Sequence, residues 1–263
     1  MNEKRIPFKS IGSQHLFFIS LHPWKMNILN LYSKDGGYFM KYLSIVLLSL
    51  VLASCFMYYE YKKLYKTAVL LKALASLSFI LFGLLSATQC NDPVFARRII
   101  IGLILGGIAD VLLNLRFVFP NRGKKIFLVG ILVFLSGHLL YLAALIPYST
   151  SLVLWLGIGT VLTVLVLLWI FSKITVAMAF KIFGILYIGA IMLMNSVAAG
   201  ILINTHSTHS VVFFIGALLF LISDIVLILN TFGPKQKQKL RVTNLSLYYV
   251  GQLLIGLSLQ LLR

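Results

Sequence analysis

Runs of about 20 apolar residues recur from Met40 to the C-terminus, and nothing else in the sequence limits the fold so tightly. A bilayer's hydrocarbon core is about 30 Å thick, and a helix rising about 1.5 Å per residue crosses it in such a run. No water reaches the backbone there. Each run must bond its own N–H and C=O groups, and only a helix does so within a single segment. A buried soluble core is not an alternative: 60% of the residues are hydrophobic and 11% charged, too few charges to cover a soluble surface. The sequence predicts an all-α polytopic membrane bundle of about eight helices, with spans near 41–59, 66–88, 98–116, 125–146, 151–171, 177–201, 210–230 and 243–262. Short connections carry the turn formers Pro120, Gly123, Pro147, Gly233 and Pro234.

Residues 1–40 stand apart from a transmembrane domain at 41–263. There Lys4, Arg5, Lys9 and Lys25 alternate with Phe8, Leu16, Phe17 and Trp24, a pattern suited to a membrane surface or to a disordered extension. Leu16-Phe17-Phe18-Ile19 is too short for a signal-peptide core, and Met40 would also serve as an internal start.

The net charge of +17 does not form a nucleic-acid footprint. Lys and Arg fall between the apolar runs, where they anchor loops against lipid headgroups. One side of the predicted bundle collects most of them, Lys62, Lys63, Arg116, Arg122, Lys235 and Arg241 included; the other has little beyond Arg97 and Arg98. The short loops put the basic side in the cytosol, whereas the basic N-terminal tail lies opposite and argues the reverse. Cys55 and Cys90 form no C-x-x-C pair and suggest neither a disulfide framework nor a zinc site.

A shift of 114 residues aligns Ile101–Leu140 on Ile215–Leu254 without a gap. It carries Gly102 onto Gly216, Asp110 onto Asp224, Pro120 onto Pro234, Lys125 onto Lys239 and Gly137 onto Gly251. Leucine matches mean little in membrane sequences; matched Asp, Pro and Gly mean more. Chance likeness of low-complexity apolar helices is one reading; the matched Asp, Pro and Gly favour the other, a duplicated helical hairpin, and by extension a four-plus-four repeat whose even helix number gives both copies one membrane orientation. The two aspartates then lie at equal depth, on the basic side.

Of six acids, Glu3, Asp35, Glu60 and Asp92 lie in the tail or near span ends; only Asp110 and Asp224 are embedded. An ionised Asp at a span centre costs about 2.5–3.5 kcal/mol even on lenient scales, so two at matched depth need a reason. One reason is a shared site, the other a pair of helix-to-helix hydrogen bonds. Two carboxylates in one dry cavity do not both hold a charge. One keeps its proton, which yields a general acid and a general base from identical side chains. Which Asp takes which role is open at this level. Supporting candidates are Lys72, His138, Tyr141, Asn230, Tyr248 and Gln252, with Asn114, Tyr187, Asn195 and Tyr249 as further polar span residues. Lys72 either snorkels to the headgroups or binds a substrate phosphate, and Tyr248 and Tyr249 serve the site or anchor the interface. No metal-ligand, P-loop or G-x-S-x-G motif occurs.

The stretches GLILGGIADVLLNL, GHLLYLAAL, GALLFLISDIVLILNTF and YYVGQLLIGLS together resemble the lysoplasmalogenase (YhhN-like) family of multi-pass membrane enzymes. The resemblance runs over about residues 66–260. It rests on Asp110 at the end of one helix, His138 and Tyr141 in the next, Ser223-Asp224 with Asn230, and Tyr248-Tyr249 with Gln252; Lys72 in LLKAL resembles the family's early lysine. Ala109 stands where the family has Gly, and the Pro that usually follows the lysine is absent. The resemblance implies hydrolysis of the vinyl ether of a lysoplasmalogen to a fatty aldehyde and a glycerophospho-ethanolamine or -choline. It implies Asp110 and Asp224 as catalytic, no cofactor or metal, and lysophospholipid, water and bilayer as partners. The expected location is the endoplasmic reticulum of a eukaryote or the inner membrane of a bacterium.

Two other classes use paired membrane acids. An intramembrane aspartyl protease is loosely suggested by Gly106-Gly107-Ile108-Ala109-Asp110, but no Tyr-Asp pair precedes it. A proton-coupled transporter or lipid-binding protein suits a parallel repeat, yet the acid-bearing spans lack the Gly/Pro breaks of transporter sites.

Overall fold

The computed structural model describes residues 36–262, and within them the chain is a succession of helices with no strand. The helices are α1 (Gly36–Tyr61), α2 (Tyr65–Ala87), α3 (Pro93–Val118), α4 (Gly123–Leu145), α5 (Leu152–Lys173), α6 (Met178–Thr205), α7 (Thr208–Phe232) and α8 (Gln238–Leu261). All eight are long and apolar enough to cross a membrane. The chain is a multi-pass integral membrane protein by that measure. Residues 42–263 form one compact unit. The proposed surface extension and Asp35 lie outside the described residues.

Helix ends depart from the hydropathy pattern where polar residues extend a helix beyond its apolar run. α3 begins at Pro93 rather than 98 because Asp92 caps it: Oδ1 accepts from the amides of Val94 (2.8 Å) and Phe95 (3.0 Å), and Pro93 fills the first helical position. α8 begins at Gln238 rather than 243, with Lys239 and Arg241 in a polar first stretch that hydropathy alone discounts. Pro120 and Pro147 each sit in a short 3-10 turn, at Pro120–Arg122 and Ile146–Tyr148.

The duplication extends beyond the aligned hairpin. α3 packs on α4 as α7 packs on α8, and α2 on α3 as α6 on α7. The copies interlock reciprocally, α2 against α8 and α6 against α4. Exchanging the copies preserves these pairings, as a pseudo-two-fold axis requires. The first helix of each copy, α1 or α5, is the least buried.

Apolar surface gains little by moving from lipid to protein, so close packing and interhelical hydrogen bonds must hold such a bundle together. The matched glycines supply the close packing. A Cβ on Gly137 would stand 3.2 Å from the Gly102 carbonyl oxygen. In the second hairpin, a Cβ on Gly216 or Gly251 would stand 2.9 Å from the other's carbonyl oxygen. The residues that exposed the repeat are thus the crossing points of its two hairpins.

Candidate active site

Asp110 is on the last third of α3, and three side chains converge on it. Lys72 of α2 forms an ion pair with Oδ1 at 3.0 Å. Ser76, one turn further along α2, donates to Oδ2 at 2.6 Å, and Tyr248 of α8 donates to the same oxygen at 2.8 Å. Lys72 also donates to Asn114 Oδ1 at 3.3 Å, one turn beyond Asp110 on α3. The lysine is 3% exposed and turns into the bundle, which overturns the snorkelling reading.

Asp224 occupies the matching place on α7, where its surroundings are plainer. Tyr187 of α6 donates to Oδ2 at 2.6 Å. No cation lies within ion-pair distance of Asp224 among the described residues. Each aspartate is thus held by the second helix of its own copy, through a Lys and a Ser in the first copy and a tyrosine in the second. The adjoining turn of α7 is tied to α8: Asn244 Nδ2 donates to the Ser223 carbonyl (2.9 Å), and Ser223 Oγ donates to the Asn244 carbonyl (2.9 Å).

Both carboxylates line one polar cavity of about 30 Å³, together with Lys72, Arg116, Arg241 and Tyr248. That is room for roughly one or two waters. A second cavity of about 50 Å³ is almost wholly apolar and runs between α4, α5, α6 and α7, past Ile131, Leu167, Phe180 and Gly184. The two cavities share Leu113, Phe127, Phe134 and Leu227 as walls. The Asp224–Tyr187 pair spans the junction, Asp224 on the polar cavity and Tyr187 on the apolar one.

The other predicted side chains divide. Tyr248 and Tyr249 are 4% and 1% exposed, so neither is an interfacial anchor. Gln252 Nε2 donates to Tyr248 Oη at 3.3 Å, and its Oε1 accepts from Tyr141 at 3.2 Å, forming a line from Asp110 to α4. His138 is buried among Phe134, Tyr141, Tyr187 and Phe220, and among the described residues neither ring nitrogen has a hydrogen-bond partner. Asn230 is not drawn to the cavity; its Oδ1 accepts from the Lys237 amide at 2.7 Å and ties the α7–α8 loop. Asn195 turns back onto its own helix, donating to the Ile191 carbonyl at 2.9 Å.

Three residues read from the sequence as peripheral belong to this region. Glu60, near the end of α1, accepts two hydrogen bonds from Arg241 (2.9 and 2.7 Å) and one from Asn114 (3.2 Å). Arg241 and Arg116, counted there as headgroup anchors, line the polar cavity instead. Glu60 and Arg241 are 181 residues apart, and no local pattern joins them. Ser76 was visible in principle, since it lies four residues after Lys72 on one helical face. Asp92 is remote from the cavity: Tyr148 donates to its Oδ2 at 2.6 Å. That bond and the Phe95 and Val94 amides hold its carboxyl below the usual range. Cys55 and Cys90 are free and half-buried, and no group of potential metal ligands occurs among the described residues.

The sequence profile of the YhhN family matches residues 67–259, which takes in every residue of the polar cavity named above and leaves out Glu60. No curated protein and no solved structure matches the chain.

Proposed function

The chain belongs to the YhhN family, the family of lysoplasmalogenases, and from that premise we propose that it hydrolyses the vinyl ether of a lysoplasmalogen inside the membrane. One observation carries the proposal: both embedded carboxylates face a polar cavity that adjoins an apolar one. A lysolipid has the same division. Its alkenyl chain suits the apolar side and its glycerophosphate the polar side, so the ether linking them falls at the junction, beside Asp224.

A vinyl ether is cleaved by protonation at its β-carbon. The two aspartates differ in what they offer this step. Asp110 accepts from an ammonium and two hydroxyls, the setting of an ionised carboxylate. Asp224 accepts from one hydroxyl, on Oδ2, which leaves Oδ1 to carry a proton. Asp224 is therefore the donor and Asp110 the fixed negative charge. The Asp224 proton goes to the β-carbon and the adjacent carbon becomes part of an oxocarbenium ion. Water adds to that carbon and returns a proton to Asp224. The hemiacetal then collapses: its hydroxyl proton moves to the ether oxygen, the C–O bond breaks, and a fatty aldehyde and the glycerophospho alcohol leave. Glycosidases stabilise the same kind of cation with a carboxylate pair.

A transporter would share the parallel repeat. The helices bearing the aspartates run unbroken over Pro93–Val118 and Thr208–Phe232, which favours a fixed catalytic site over a broken-helix transport site. The proposed setting is the endoplasmic reticulum of a eukaryote or a bacterial inner membrane. The test is incubation of the purified protein with an alkenyl lysophospholipid and with its ester analogue. Aldehyde release from the vinyl ether alone supports the reading; lipid flux into liposomes without bond cleavage would replace it with transport.

A further inference from the structure

We infer that Arg116 is the binding site for an anionic phosphodiester, the headgroup phosphate of the lysolipid, at the edge of the polar cavity. The inference rests on the lysolipid reading above and specifies where that substrate's charge is held.

Among the described residues three cations line the cavity, and two of them are committed. Lys72 is paired with Asp110, and Arg241 is held by both oxygens of Glu60. Arg116 has no carboxylate within ion-pair distance among the described residues. Its Nε is buried and has no hydrogen-bond partner among the described residues. Its guanidinium carbon lies 4.6 Å from the Phe117 ring centre and 4.4 Å from that of Phe127. Flanking rings fix the guanidinium plane without using its N–H donors. A buried donor left unbonded is costly in a protein that accounts for its other cavity cations so fully. The inferred acceptor enters the cavity and reaches the guanidinium there.

Charge and position identify the acceptor. With Asp110 ionised and Asp224 protonated as in the reading above, the pairs Lys72–Asp110 and Arg241–Glu60 cancel, and among the described residues lining the cavity one positive charge remains, on Arg116. A phosphodiester carries one negative charge, and its planar pair of oxygens matches two guanidinium N–H groups. Phe127 stacks on Arg116 and is also a shared wall of the two cavities. A phosphate at Arg116 therefore leaves the lipid chain beside the entrance to the apolar cavity, with the glycerol and ether passing Asp224.

Binding separates this site from the chemistry. The full-length protein in nanodiscs is titrated with ester-linked lysophosphatidylcholine, with monoacylglycerol of the same chain, and with inorganic phosphate as competitor. The wild type is expected to prefer the phospholipid by about tenfold or more, as a charge-assisted hydrogen bond would give. Arg116→Gln should erase that preference while leaving monoacylglycerol affinity unchanged, which also shows that the variant is folded. Arg116→Lys should retain part of it. The site is overturned if Arg116→Gln keeps the preference, weakens both lipids equally or loses monoacylglycerol binding while Arg116→Lys shows the full wild-type preference. Displacement by inorganic phosphate at the lysolipid's own concentration would mean a free-phosphate site and overturn the headgroup assignment. Neither lipid is cleaved, so failure of the hydrolase reading shows only in the aldehyde assay.

Discussion

At the scale of single residues, the two aspartates occupy matching places in the helix packing and differ in environment. Asp110→Asn and Asp224→Asn are each expected to reduce aldehyde release by about 100-fold or more with the bundle still assembled. A purified, monodisperse Asp224→Asn protein with near wild-type turnover would remove it as the proton donor. Lys72 separates stability from chemistry. Removing one member of a buried pair costs about 3–5 kcal/mol, so Lys72→Met should lower the melting temperature sharply. Combining it with Asp110→Asn should recover much of that loss and no activity; a double variant as unstable as Lys72→Met would show that Lys72 stabilises instead through Asn114 or through the Phe56 ring, whose centre lies 5.2 Å from its Nζ. The sequence already exposed the aspartates, because an acid inside an apolar run contradicts its surroundings. It hid Glu60, Arg116 and Arg241, because a charge at a span end fits both a headgroup anchor and a site that opens near the membrane surface. Their inward orientation follows from contacts between helices distant in the chain.

At the scale of helices, number, order and approximate ends were legible, since lipid admits few alternatives to a helix. The ends went astray where capping outweighed hydropathy, as at Asp92. That carboxyl titrates below its usual range because Tyr148 and two helix amides bond its charged form. Its stabilisation is complete above the unfolded carboxyl's pKa, about 4, and is lost as pH falls through the lower folded value. Asp92→Ala should cost about 1 kcal/mol near neutral pH, with activity in the aldehyde assay held within a few-fold. Its melting deficit against wild type should shrink in acid below about pH 4; a deficit unchanged by pH would assign it to lost packing. The hairpin glycines make a second demand at this scale. Gly216→Val would drive a side chain into the Gly251 carbonyl, 2.9 Å from the Cβ itself, and backbone cannot yield as a flexible side chain can. The expected result is loss of folded protein, whereas Gly157→Val, with nothing within 4 Å of its Cβ, should be tolerated.

At the scale of the whole molecule, duplication supplies a symmetric frame and the departures from symmetry supply direction. The reciprocal packing of α2 on α8 and α6 on α4 brings both aspartates to one central cavity, but the apolar cavity belongs mainly to the second copy, between α5, α6 and α7 with α4. Gly184 of α6 lines that cavity, and among the described residues nothing lies within 4 Å of its Cβ. Under the proposed function, a one-sided cavity would give the substrate a single polarity, chain toward α5 and α6, headgroup toward Arg116. Filling the cavity should therefore act on the chain and leave the carboxylates alone. Gly184→Phe directs an aromatic ring at a space of about 50 Å³ from a position whose Cβ would be unobstructed. It is expected to raise KM for long-chain alkenyl lysolipids while short-chain substrates keep their kcat/KM, because only the far end of a long chain competes with the ring. The measurement is aldehyde release across a chain-length series at fixed headgroup. A uniform loss at every length would mean that the chain does not run between these helices, and the polarity assigned to the substrate would have to be reversed.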